Sequence, residues 1–113
     1  EITKCGEYFI SDNHSFIFSD KKIEHKYTNY FELCYNSEVF PLYLRNRENG
    51  DKMKLKVGTK KIKDILIDKK IPQSKRDKLL VVSNKETVLW IPEIKKSLSN
   101  DPCIKKLYIY EVK

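Results

Sequence analysis

The sequence predicts an α+β fold: antiparallel or mixed sheets with two short helices on one side. Three observations carry it. Short apolar runs separated by polar turn clusters recur from Tyr8 to Val112, as strands do. The segment 60–69 places Ile62, Ile65, Leu66 and Lys69 at helical spacing. Two later runs, 80–82 and 87–91, are apolar on both faces, as strands central in a sheet are.

Taken in order, Tyr8-Phe9-Ile10 and Phe16-Ile17-Phe18 flank Ser11-Asp12-Asn13-His14, the pattern of a hairpin. Residues 19–28 are polar and predict a loop. Residues 30–35 predict a strand, Asn36-Ser37 a turn, and 39–45 another strand with Pro41 near its start. Gly50-Asp51 turns the chain. Lys52 to Val57 then alternates, which points Met53, Leu55 and Val57 inward and Lys52, Lys54 and Lys56 outward.

Thr59 is the expected N-cap of the first helix, which puts Lys60, Lys61 and Lys63 in its first turn. Pro72 suits the start of a second helix reaching Leu79-Leu80, with Gln73, Lys75, Arg76 and Lys78 toward water. After the two central strands, 95–102 predicts a loop and 107–112 a closing strand. No internal repeat or low-complexity tract is present.

With 113 residues the chain is read as a single domain, a strand-rich leading segment at 1–38 before a core at 39–113. It starts without Met or a signal pattern, as a cut from a longer protein would. No apolar run nears the ~20 residues of a membrane-spanning helix. Cys5, Cys34 and Cys103 are odd in number and widely spaced, so reduced thiols are expected rather than disulfides or a zinc site.

Catalytic patterns are sparse. No phosphate-binding glycine loop occurs among three isolated glycines. His14 and His25 read as exposed turn residues, and Asn13-His14-Ser15 matches a glycosylation sequon. Asp64 and Asp68, with Asp77, are the acid–base candidates of an enzyme reading; the alternative is a solvated helix face with ordinary ion pairs. Most aromatics fall at alternating strand positions and read as core, although tyrosines and phenylalanines also stack bases.

Charge is the informative feature. The net charge is +7, and from Lys52 to Lys63 six of twelve residues are lysine. Arg45 and Arg47 precede this run; Lys75, Arg76 and Lys78 follow it. Lysine usage of this kind also arises from an AT-rich genome, so clustering carries the argument. Lysine suits phosphates better than base edges. Lysines at a helix start oppose its dipole, so an anionic partner accounts for them better than helix stability does. The expected arrangement is one exposed cationic ledge of Arg45, Arg47, Lys60, Lys61 and Lys63, with Lys52, Lys54, Lys56 and Arg76 as further contacts to an anionic partner.

Four motifs then appear in order: Arg45-x-Arg47-x-x-Gly50-Asp51, Gly58-Thr59-Lys60-Lys61-Ile62-Lys63-Asp64, Ile71-Pro72 with Arg76, and Leu89-Trp90-Ile91-Pro92. Together, over about Phe40 to Ile94, they resemble the C-terminal domain of tRNA(Ile)-lysidine synthetase. This chain has Lys54-Leu55-Lys56 where the family carries Pro-Leu-Gly, and Glu93 where it carries glycine. The resemblance implies a layered fold similar to a domain of the phenylalanyl-tRNA synthetase β subunit. It implies a cytoplasmic bacterial ligase that joins lysine to the wobble cytidine of tRNA-Ile. ATP and Mg would then belong to an N-terminal catalytic domain, and this fragment would be non-catalytic, with no cofactor. The implied partners are tRNA-Ile, held by its acceptor arm, and that catalytic domain, with scope for a homodimer and no membrane. A rival reading is a protein-interaction or dimerisation module docking an acidic partner.

Overall fold

The computed structural model describes residues 1–35, 38–76, 78–98 and 103–113. The chain forms two compact units: Ile2–Phe40 with Ser99–Lys113, and Pro41–Leu98 with Glu1. The leading segment thus takes its last strand from the far end of the chain. The expected turn at Asn36-Ser37, Asp77, and the end of the 95–102 loop lie outside the described residues.

The first unit is an antiparallel sheet of β1 (Gly6–Ser11), β2 (His14–Ser19), β3 (Asn29–Tyr35) and β10 (Lys105–Val112), in the order β1-β2-β10-β3. The hairpin read from the sequence is there, with Ser11 opposite His14. Register explains its core. Ile109 lies opposite both Phe18 and Phe31, and Leu107 opposite Leu33. These positions share one face, where Phe16, Phe18, Phe31, Leu107 and Ile109 are buried. On the other face Tyr30 stacks on Tyr108 and packs against Tyr110, with Tyr27 beside Tyr30 and Tyr110. Most aromatics are packing residues here.

His14 corrects the turn reading. It begins β2, and its Nε2 lies 2.8 Å from the buried Glu111 carboxylate. Asn29 donates to the other Glu111 oxygen at 2.7 Å. A buried acid needs such partners, which fixes the histidine in place. His25 remains an exposed loop residue.

The second unit holds a sheet ordered β4-β7-β8-β9 and a separate hairpin of β5 and β6. Its elements are β4 (Tyr43–Asn46), β5 (Lys52–Leu55), β6 (Gly58–Lys61), α1 (Ile62–Asp68), α2 (Gln73–Arg76), β7 (Leu80–Ser83), β8 (Val88–Ile91) and β9 (Lys95–Lys96). β7 and β8 are central, as their two-sided apolarity requires. Met53, Ile62, Ile65, Leu66, Val81, Val88 and Ile91 form the core of this unit.

Several expectations change here. Thr59, Lys60 and Lys61 are strand, not helix: β6 pairs with β5 and α1 begins at Ile62. The cap position is Lys61, without a side-chain cap. The Asp51 carbonyl instead accepts the Ile62 N–H at 2.9 Å, so strand pairing runs straight into the helix. β5 ends at Leu55, and Lys56-Val57 is a turn, which leaves Val57 92% exposed rather than inward. Lys69 is exposed, off the apolar side of α1, and α2 stops at Arg76. The 95–102 loop begins with strand β9, which pairs with β8. Glu93, in the position where the family carries glycine, has φ +70. That left-handed geometry favours glycine.

Candidate nucleic-acid interface

The two units differ sharply in charge. Pro41–Leu98 with Glu1 holds sixteen Lys and Arg against eight Asp and Glu, a balance of +8. The other unit holds seven against eight, a balance of −1. All of the net positive charge therefore sits in one unit.

Within it the arginines serve the fold. Arg45 lies opposite Val81 in the β4–β7 ladder, so it shares a face with a core residue. From there its Nη1 and Nη2 donate to the two Asp51 carboxylate oxygens at 3.0 and 2.9 Å. Asp51 also accepts the Glu48 N–H at 2.7 Å. The pair is largely enclosed, with side chains 28% and 11% exposed. Burial alone would raise the Asp51 carboxyl; the Arg45 and Glu48 hydrogen bonds and the Arg45 and Arg47 charges outweigh it and hold it below its ordinary value.

Arg47 and Arg76 form a second brace. Arg47 Nε donates to the Arg76 carbonyl at 3.2 Å, and Arg76 Nε to the Ile71 carbonyl at 2.9 Å. The Arg47 N–H reaches the Leu79 carbonyl at 3.0 Å. These bonds satisfy carbonyls before α2, at its last residue and beyond it. The Arg-x-Arg and Ile-Pro…Arg motifs are thus joined in space, and Arg76 is half-buried rather than turned fully to water.

The lysines divide by register. Lys52 lies opposite Lys61, and Lys54 opposite Thr59, on one face of the β5–β6 hairpin. Met53 lies opposite Lys60 on the other. Met53 is fully buried, and Lys60 reaches across to pair with Asp68 of α1. Adjacent in sequence, Lys60 and Lys61 therefore point to opposite faces. Lys52, Lys54 and Lys61 are exposed, Lys56 is exposed in the turn, and Lys63 is exposed on the first turn of α1. The structure gathers Lys52, Lys54 and Lys61 on one hairpin face. It does not bring Arg45 or Lys60 to that face. Lys52 and Lys61 face each other as like charges, which costs stability unless water or an anion intervenes.

Other candidates carry less chemistry. Asp64 and Asp68 are exposed, and Asp68 is engaged by Lys60. Cys34 is buried, and the Cys103 thiol lies 3.3 Å from the Lys105 carbonyl. Partial burial and the Asp20 charge push the Cys5 thiol up, away from the reactive thiolate. Among the described residues, no three His, Cys, Asp or Glu side chains gather as metal ligands. No helix among the described residues is long and apolar enough to cross a membrane.

Sequence reasoning missed Asp51, which ties together Arg45, the 48–51 turn and the start of α1. Its signal was the acid six residues after Arg45, at the end of the turn. It also missed the split between Lys60 and Lys61, which becomes visible once 58–61 is read as a strand.

The chain is similar to known proteins of one family. The model of the family described as "TilS substrate C-terminal domain" matches residues 42–108. The tRNA(Ile)-lysidine synthase of Bacillus subtilis (strain 168) is 40% identical over 92 residues, 79% of this chain and 16% of that protein. The tRNA(Ile)-lysidine synthase of Bacillus cereus (strain ZK / E33L) is 46% identical over 99 residues, 85% of this chain and 18% of that protein. The chain therefore spans less than a fifth of either relative's length. The crystal structure of a TilS C-terminal domain superposes with a TM-score of 0.69 at 28% identity, covering 95% of this chain and 89% of that one. The α+β class stands with it. This chain belongs to the family of tRNA(Ile)-lysidine synthase C-terminal domains.

Proposed function

We propose that this chain grips tRNA-Ile by the phosphates of its acceptor arm for a cytoplasmic ligase that joins lysine to the wobble cytidine. The observation that carries the reading is the solvent-exposed lysine face of the β5–β6 hairpin, Lys52, Lys54 and Lys61, in the unit with a balance of +8. A-form RNA hides its base edges in a deep, narrow groove, so a remote arm is best held through backbone and shape. Holding that arm raises the effective concentration of the anticodon at a distant active site. In this reading ATP, Mg and the bond-forming chemistry belong to the catalytic part of the enzyme. This chain contributes position. The same ligase acting as a homodimer fits the reading equally well.

The test is binding of the chain to unmodified tRNA-Ile across a salt series. Three to five phosphate contacts give a log–log slope of about −2 to −4. A slope near zero, or preference for an acidic polypeptide over tRNA, would transfer the lysine face to a protein partner.

A further inference from the structure

Val57 is the most exposed of the large hydrophobic side chains that stand out from the described surface. It occupies the two-residue connection Lys56-Val57 between β5 and β6, closed by Leu55 opposite Gly58. Such positions favour Gly, Asn, Asp or Ser. A β-branched apolar side chain there buries nothing, so folding does not account for it. Gly58, with φ +119, supplies the backbone geometry that returns the chain. The result is an aliphatic point at the end of a ribbon whose open face carries Lys52, Lys54 and Lys61, with Lys56 beside it.

Resting on the RNA reading above, we propose that this tip enters the shallow groove of an A-form RNA duplex. Val57 packs on the ribose edges there, while the hairpin lysines take phosphates along the flanking strand. The chemistry is complementary on three counts. The A-form minor groove is wide and shallow and lined by sugars, which admits a blunt hairpin end. Lys52 and Lys54 are two residues apart on a strand, about 6.6 Å, and Lys61 widens the row across the ribbon. An aliphatic group meets C–H surface on ribose without needing a hydrogen bond. A single strand offers the phosphates but no groove to fill.

The test compares the wild-type chain with Val57→Ser and Val57→Leu on a short blunt-ended RNA duplex and on one of its strands alone. Val57 is exposed, so all three proteins are expected to fold with the same melting temperature. Val57→Ser is expected to weaken duplex binding about fivefold, the effect of uncovering part of a valine side chain. The salt slope and single-strand affinity stay unchanged, and Val57→Leu binds the duplex as wild type does. Equal duplex affinity of Val57→Ser and wild type, with a steep salt slope intact, overturns the groove proposal and leaves the phosphate-grip reading standing. Loss of equal size on the single strand also overturns it. Absence of salt-dependent RNA binding by the wild type overturns both.

Discussion

Replacing Asp51 with alanine is expected to lower the stability of the chain by about 2–3 kcal/mol, read by chemical denaturation. The substitution strands the half-buried Arg45 guanidinium and removes the acceptor of the Glu48 N–H. The Asp51 backbone carbonyl, which accepts the Ile62 N–H, depends on the same turn being held. Asp51→Asn keeps the shape and loses the charge, so an intermediate cost is expected. The carboxyl is held below its ordinary 3.8 in the folded chain. Its contribution is therefore complete above the unfolded value and lost as pH falls through the lower folded one. Wild type should lose stability below about pH 4, and Asp51→Ala should lose less over the same range. A cost under about 0.5 kcal/mol, the size of an ordinary surface change, would mean that Asp51 does not organise this turn.

Neutralising the hairpin face, with Lys52, Lys54 and Lys61 all changed to glutamine, is expected to weaken tRNA binding roughly 30-fold near 50 mM salt. The log–log salt slope should fall in magnitude by about two to three. Stability should not fall with it. Lys52 and Lys61 face each other across the hairpin as like charges, so removing them relieves repulsion worth a few tenths of a kcal/mol. Loss of binding at unchanged or raised stability separates a binding surface from a structural one. Binding that survives the triple change would move the contact elsewhere in the basic unit.

Much of the fold was legible. The first hairpin, β3, the central pair β7 and β8 and the closing strand β10 all follow from apolar patterning bounded by polar clusters. The misplaced helix start has one cause. Gly58-Thr59-Lys60-Lys61 has no apolar residue to mark a strand face, so local pattern could not distinguish β6 from the first turn of a helix. Only its pairing with β5 defines it, and nothing within 58–61 itself records that pairing. The same pairing sends Lys60 toward Asp68 and Lys61 to the open face. Arg45 illustrates the other limit. Two residues from Arg47 in the sequence, it reads as part of an exposed cationic ledge, yet both its η nitrogens donate to Asp51. Sequence locates a charge; only the fold reveals which acid lies within reach.

The most direct measurement sets Lys61→Gln beside Lys60→Gln and follows tRNA affinity across the same salt series. Lys61 stands on the open hairpin face, and Lys60 on the opposite side, paired with Asp68. Lys61→Gln is expected to weaken binding several-fold and to reduce the slope by about one, while Lys60→Gln leaves both near wild type. Equal effects from the two neighbours, or a larger effect from Lys60, would contradict a grip built on the face that Lys61 shares with Lys52 and Lys54.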